Sequence, residues 1–170
     1  MIVVCNSTPL VHLSAMGQLG LLKRLFNQVH LAEAVYQEVV VRGAGKPGAA
    51  ELGAADWIKR HEVANQMALN SLRARLGEGE AASIVLAEEL RANVLVLDDK
   101  AARLQAKSQS LKVTGTVGLL LLADERGMLS FPKALERLLD TGFHLSQREQ
   151  QRVLALWEPG QTTPPWGREP

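Results

Sequence analysis

The sequence predicts an α/β fold in which a mainly parallel central sheet is covered by helices on both faces, giving a three-layer sandwich. Strand-like and helix-like segments alternate along the chain, which is typical of parallel strands joined by helical crossovers. Two apolar runs, VVC at 3–5 and VLVL at 94–97, end abruptly in polar residues, as buried strands do. In this fold class, binding sites lie at the carboxyl ends of the strands.

The first half of the chain begins with a strand at 2–5. Thr8 and Pro9 then predict an N-cap followed by proline at the first helical position. This helix continues to Met16 and breaks at Gly17. The remaining predicted elements are a helical segment at 19–26, a strand at 28–31, a helix at 32–41, a loop at 42–48, a short strand within 56–63 and a helix at 70–76.

The second half continues the alternation. Hydrophobic spacing predicts a helix at 80–90, and the run that follows it is a buried strand ending in Asp98 and Asp99. The remaining predicted elements are a helix at 99–108, a strand at 111–115, a helix at 116–126 and two helices within 130–156 that join near Gly142, the second capped by Ser146.

One domain is expected over residues 1–156, with the last helices as a C-terminal extension, because 170 residues with 46% hydrophobic content suit a single core. Residues 157–170 hold four of the seven prolines without periodicity, which predicts a flexible tail. Trp166 within that tail is a candidate for docking on a neighbouring chain.

Composition limits the partners and the compartment. Lys and Arg total 19 against 18 for Asp and Glu, so a polyanion would have to be bound by a local basic patch. The single cysteine, Cys5, excludes an intrachain disulfide and favours the reducing cytoplasm. No uninterrupted apolar run reaches the roughly 18 residues that a membrane span needs.

Two glutamates on helices are candidate functional residues. Glu80 shares a helical face with Ile84 and Ala87, and a carboxylate on a buried stripe is usually paired or bound to metal. Alternatively, Glu80 and Glu78 are first-turn residues that complement the helix dipole. Glu38 borders apolar positions of its helix, and by itself it is more typical of a helix edge than of a ligand.

Three polar residues follow strands. Asp98 and Asp99 end an apolar strand, where either could also cap the next helix. Asn6 ends the first strand, and its local sequence favours an Asx-turn or a capping amide.

A parallel sheet can bring these strand ends and the two glutamate helices together into one cleft. Carboxylate and carbonyl oxygens suit Mg²⁺ or Mn²⁺. One cysteine and four histidines without paired spacing, at 12, 30, 61 and 144, do not suggest zinc.

Five ordered segments carry a resemblance to a known family. VVCNSTPLVHL, AVYQEV, LGEGEAASIVLA, VLVLDDKAAR and VTGTVGLLL together resemble the PIN domains, across about residues 1–150. The resemblance implies an α/β sandwich, a Mg²⁺- or Mn²⁺-dependent ribonuclease activity, and kinship with bacterial toxins that are restrained by antitoxins.

The resemblance also implies roles for individual residues. Asn6, Glu38 and Glu80 match the first three acidic positions, and Asp98 or Asp99 matches the fourth. Ser7 matches the small hydroxyl residue after the first acid. Thr116 matches a polar residue near the site, although it could equally be a helix N-cap. Asn6 departs from the usual aspartate, and its neutral carbonyl should weaken metal binding.

Three hypotheses about function follow. The first is an endoribonuclease acting on single-stranded or structured RNA, in which Asn6 orients a water on the ion. As a toxin it would form a homodimer and pair with an antitoxin. The candidate phosphate contacts are Arg42, Lys46, Arg73, Arg75, Lys100 and Arg103. Aromatic residues make up only 4% of the chain, which disfavours a base-stacking platform.

The second hypothesis is a scaffold of the same fold that binds a protein or RNA without cutting it, for which Asn6 is the main argument. The third is a phospho-receiver domain with an aspartate at a strand end. It lacks acids after the first strand and a lysine in VTGTVG.

Overall fold

The structure is a computed structural model, and it describes residues 1–157. The rest of the expected tail, including Trp166, lies outside the described residues. Every strand pair in the sheet is parallel. This confirms the predicted α/β architecture. The strands are β1 (Val3–Cys5), β2 (Val29–Ala32), β3 (Ile58–His61), β4 (Val94–Val96) and β5 (Val113–Thr114). Their order in the sheet is β3-β2-β1-β4-β5.

Helices connect the strands and cover the sheet. A π-helical segment, Gln37–Val41, continues helix α3 (Glu33–Tyr36). The helices of the described residues are α1 (Ser7–Ala15), α2 (Gly20–Phe26), α3 (Glu33–Tyr36), α4 (Ala49–Gly53), α5 (Gln66–Arg73), α6 (Glu78–Glu89), α7 (Lys100–Ser108), α8 (Thr116–Glu125), α9 (Phe131–Asp140) and α10 (Gln147–Leu156).

Helix α6 is the central helix of one face of the sheet. It packs against β1, β2 and β4, with α5 and α7 beside it. Every residue from 81 to 87 is buried, so this helix is apolar on nearly all sides. Right-handed crossovers place α1 and α2 on the opposite face, where α1 contacts α8 and α8 contacts α9.

The first helix begins earlier than predicted. Asn6 keeps an extended backbone and donates its N–H to the Val96 carbonyl at 3.0 Å, and the helix starts at the next residue. Thr8 is therefore not the N-cap, and Pro9 is the third helical residue. Proline is tolerated there because first-turn N–H groups have no partner within the helix.

Residues 32–76 also differ from the prediction. Helix α4 was not predicted, and α5 begins at Gln66 because Asn65 caps it, accepting the Ala68 N–H at 3.0 Å. The predicted helix over 32–41 is only α-helical as far as Tyr36 before it widens into the π-helical segment.

The final two helices agree with the prediction. Gly142 adopts a φ of +84° in the connection, a conformation that favours glycine. Ser146 and Glu149 form a capping box at the start of α10. After α10, the Trp157 indole N–H donates to Asp124 at 2.7 Å, which attaches the end of this extension to α8.

Candidate active site

The candidate site lies where the sheet changes its direction of winding. Strands β1 and β4 are neighbours, with Cys5 opposite Val96. From β1 the chain winds toward β2 and β3, whereas from β4 it winds the other way to β5. Such a switch point leaves a crevice at the carboxyl ends of the strands. Asn6 directly follows β1, and Asp98 and Asp99 follow β4 after one residue.

Three oxygen atoms converge around Gly79 at this crevice. A methyl group placed on Gly79 would lie 2.8 Å from Glu38 Oε2, 3.3 Å from Asn6 Oδ1 and 3.7 Å from Ser7 Oγ. We call Asn6, Ser7, Glu38 and Gly79 the oxygen cradle. Residues distant in sequence are therefore brought together here, and glycine is required to leave the space open.

The π-helical segment positions Glu38 in the cradle. The Arg42 N–H donates to the Gln37 carbonyl at 2.8 Å, and this wider turn displaces the side chains from α-helical positions. A methyl group on Gly43 would clash with the Val39 carbonyl oxygen, so the turn can be followed only by glycine. Glu38 is solvent-exposed rather than buried.

The amide of Asn6 belongs to the cradle rather than to the helix start. It is 1% exposed and makes no capping bond to α1, so the expected Asx-turn or cap is wrong. Its Oδ1 instead accepts the hydroxyl of Ser83 at 3.3 Å, and Ser83 is fully buried on α6. Sequence reasoning did not select Ser83, although a lone serine within a buried apolar stretch was a signal.

Glu80 lies on α6 just beyond the cradle and is partly buried. Its carboxylate folds back against Gly77, in contact with the position that a Cβ would occupy. Burial raises the pKa of Glu80 most, the negative charges of Asp99 and Glu38 raise it further, and the Gly77 backbone opposes the shift. Glu80 is therefore repelled by two carboxylates, those of Asp99 and Glu38. Glu78 instead pairs with Arg73 at the surface.

The two aspartates after β4 have different partners. Asp98 accepts the Thr116 N–H at 2.8 Å and the Thr116 hydroxyl at 2.6 Å. Asp99 caps α7 by accepting the Ala102 N–H at 2.8 Å. Gly115 is the N-cap of α8, so Thr116 holds Asp98 rather than serving as the cap.

Asp98 lies among hydrogen-bond donors and positively charged side chains just after the end of β4. Burial raises the pKa of Asp98, and the hydrogen bonds from Thr116 and the charges of Arg103 and His12 oppose the rise. A methyl group on Gly115 would lie 2.7 Å from Asp98 Oδ1 and 3.0 Å from an Arg103 nitrogen. A cation and a fixed carboxylate therefore meet at the β5 side of the crevice.

The sequence-predicted cations fall into separate groups. Arg42 and Arg73 line a cleft of about 280 Å³ beside Glu78, whereas Arg103 lies next to Asp98. The others, Lys46, Arg75 and Lys100, are exposed and form no ion pair within residues 1–157.

No three Asp, Glu, His or Cys side chains of residues 1–157 converge closely enough to hold a metal ion by themselves. The predicted ligands Glu38, Glu80, Asp98 and Asp99 therefore do not form a carboxylate metal site by themselves. The histidines are not all separate, because His30 Nδ1 and His61 Nε2 lie 2.8 Å apart across β2 and β3. No helix in the described part of the chain is both long and apolar enough to span a membrane.

Fold and site together define a doubly wound α/β protein with oxygen donors at the switch point of its sheet. The model of a family of PIN domains, DUF3368, matches residues 2–159. The chain therefore belongs to the PIN-domain family, as its motifs indicated, and has the nuclease-like fold of that family. No curated protein matches the chain. This membership leaves the phospho-receiver hypothesis without support.

Proposed function

We propose that this protein is a Mg²⁺- or Mn²⁺-dependent endoribonuclease that cuts single-stranded or structured RNA. The observation that carries the proposal is the oxygen cradle, in which Glu38, Asn6 and Ser7 face the same point above Gly79 at the switch point of the sheet. Membership of the PIN family supports it, since PIN domains generally depend on divalent metal ions.

The donor set fits a hard cation. All three cradle atoms are oxygens, and Mg²⁺ and Mn²⁺ prefer oxygen ligands while taking the remaining ligands from water and phosphate. Glu80 and Asp99 add negative charge beside the cradle. A divalent ion there would polarise the attacking water and neutralise charge on the leaving oxygen of a phosphodiester.

The residues of the chain prepare the site in two ways. Ser83 holds the Asn6 amide and Thr116 holds Asp98 by hydrogen bonds. Both side chains are therefore already ordered before substrate binds, and binding does not have to offset the entropy cost of ordering them. Arg103, beside Asp98, supplies positive charge for an RNA phosphate that flanks the reacting one.

The test is cleavage of a mixed-sequence RNA with and without Mn²⁺. The native chain should cut only with the ion, and Glu80→Gln should abolish the cutting. Glu88→Gln, an exposed change near the end of the same helix, is the matched control. Cutting that persists unchanged in Glu80→Gln, or that needs no divalent ion, would refute the proposal.

A second candidate is a scaffold that binds a partner protein or RNA without cutting it. The observation that favours it is the neutral, buried Asn6 where a carboxylate would strengthen ion binding. For this candidate, Asn6→Asp should raise Mn²⁺ affinity and create cleavage that the native chain lacks. Multiple turnovers by the native chain would exclude it.

We further propose that this protein is a cytoplasmic toxin, that it acts as a homodimer and that an antitoxin restrains it. Expression of the native chain in a bacterium should stop growth, whereas expression of Glu80→Gln should not. Sedimentation of the purified chain tests the dimer. Normal growth with native protein present at high level would contradict the toxin role.

A further inference from the structure

The cleft beside the cradle presents hydrogen-bond donors and acceptors of both charges, which suit the polar edges of a nucleic-acid base. Its volume is about 280 Å³, which is room for one purine ring system. It lies close to the cradle, because Gln37 and Glu78 line it and their chain neighbours Glu38 and Gly79 belong to the cradle. A nucleotide whose phosphate lies at the cradle can therefore place its base or that of its neighbour here.

The charges of the cleft disfavour a phosphate. Three glutamates and two arginines line it, and Arg60, which is paired with Glu33, balances the third glutamate, so the cleft carries no excess positive charge. Two of these glutamates already have partners, since Glu33 is paired with Arg60 and Glu78 with Arg73. A phosphate would have to compete with these carboxylates, whereas a neutral base would not.

Two charged side chains of the cleft remain available. Arg42 and Glu62 are exposed and form no ion pair within residues 1–157. Between the polar groups lie apolar side chains, including Val63, Leu69 and Ala82. Most of the lining side chains are polar or charged, so the cleft would select a ligand by hydrogen bonds to its polar edges.

We propose that this cleft binds one guanine of the RNA next to the cut, with Arg42 donating to O6 and N7 and Glu62 accepting from the N1 and N2 hydrogens. Guanine presents two adjacent acceptors to an arginine fork and two adjacent donors on its Watson–Crick edge. Adenine, cytosine and uracil lack this combination. The inference rests on the proposed function, because it names which part of an RNA substrate this protein selects.

Binding of mononucleotides to the full chain in EDTA tests the cleft without any catalysis. By titration calorimetry, GMP should bind roughly five- to a hundredfold more tightly than AMP, CMP or UMP. IMP, which lacks the N2 amino group, and 7-deaza-GMP, which lacks the N7 acceptor, should each bind more weakly than GMP.

Variants assign each contact. Arg42→Gln should weaken GMP binding and remove the difference between GMP and 7-deaza-GMP. Glu62→Gln should weaken GMP binding and remove the difference between GMP and IMP. The matched controls Arg148→Gln and Glu88→Gln, both at exposed positions outside the cleft, should keep both differences. General damage to the fold would weaken the binding of GMP, IMP and 7-deaza-GMP alike. It would not remove one difference in affinity in Arg42→Gln and the other in Glu62→Gln.

The outcomes separate this inference from the proposed function. Equal binding of all four nucleotides, or no binding of GMP, overturns the guanine site even if RNA is cut with Mn²⁺. A GMP preference that responds to Arg42→Gln and Glu62→Gln sustains the guanine site even if no RNA is cut.

Discussion

Glu33 and Glu38 lie on the same short helical segment, yet their surroundings differ in kind. Glu33 accepts hydrogen bonds from Arg60 at 2.9 and 2.7 Å and from Gln37 at 2.7 Å, and Arg60 also lies 3.7 Å above the Tyr36 ring. The hydrogen bond from Arg60 is the main reason that the pKa of Glu33 is held below its ordinary value.

Glu38 instead has the neutral oxygens of Asn6 and Ser7 and the carboxylate of Glu80 near it. Its Oε2 faces the oxygens of Asn6 and Ser7 across Gly79, and its charge raises the pKa of Glu80. One glutamate of the segment therefore stabilises the fold, whereas the other adds to a repulsion that a bound cation would relieve. Paired acids are characteristic of structure, and gathered acids are characteristic of function.

The largest expected effect is on ion binding. Glu38→Gln should lower Mn²⁺ affinity and RNA cleavage by about a hundredfold or more, because even outer-shell partners of metal ligands contribute 10- to 100-fold. Glu33→Gln should leave Mn²⁺ affinity intact. Calorimetric titration with Mn²⁺ measures the affinity of each variant. Equal losses of affinity in Glu38→Gln and Glu33→Gln would show that the two glutamates do not differ in role.

Gly79→Ala sharpens the comparison without changing any charge. The new methyl group would lie 2.8 Å from Glu38 Oε2, so the cradle must open and Mn²⁺ affinity should fall about tenfold or more, by analogy with other losses of ligand support. The free energy of unfolding should stay the same or rise by up to about 1 kcal/mol, because alanine favours helix.

Gly20→Ala is the control for that change. A methyl group there meets nothing within 4 Å, so Mn²⁺ affinity should not change. Unaltered affinity in Gly79→Ala would show that the cradle is not where the ion binds.

A smaller effect is expected on the structural side of the comparison. Arg60→Ala should lower the free energy of unfolding by roughly 1 kcal/mol, the sum of a surface ion pair and an exposed cation–π contact. Arg60→Lys should recover only part of it, since lysine lacks the planar fork. Urea unfolding measures the loss, and Mn²⁺ affinity should be unaffected in both variants.

The smallest effect concerns pH in the ion-free protein. The folded pKa of Glu80 lies above its unfolded value, so ionising it costs stability as the pH rises. Glu80→Gln should therefore be more stable than the native chain near pH 7, and this advantage should shrink as the pH falls through the raised pKa.

Glu33→Gln should behave in the opposite way. The folded pKa of Glu33 is depressed, so the native chain should be the more stable of the two at pH 7. That deficit of the variant should disappear only as the pH falls below the ordinary glutamate range. Urea unfolding of the three proteins at several pH values checks both signs, and the contribution of His30, whose pKa is lowered by burial, cancels in the differences.

Part of the site was predictable from short-range patterns. Asn6, Asp98 and Asp99 follow apolar runs and Glu80 follows two glycines, and these local features placed them at strand ends and a helix start. Ser83 was not predicted as a partner of Asn6, because the two residues are 77 positions apart and meet only when α6 crosses β1. The contact between His30 and His61 likewise depends on the pairing of β2 with β3.

The order of apolar and polar residues by itself predicted a mainly parallel α/β protein, since hydrophobic periodicity is a local property of the chain. The PIN family was indicated by the resemblance of five ordered motifs, not by that periodicity. Tertiary structure alone decided that Glu33 is paired while Glu38 faces the cradle, and that Thr116 holds Asp98 while Asp99 caps a helix. The physical reason is that a carboxylate's role depends on the charges and donors within a few ångströms of it. Those neighbours come from distant parts of the chain, which only folding brings together.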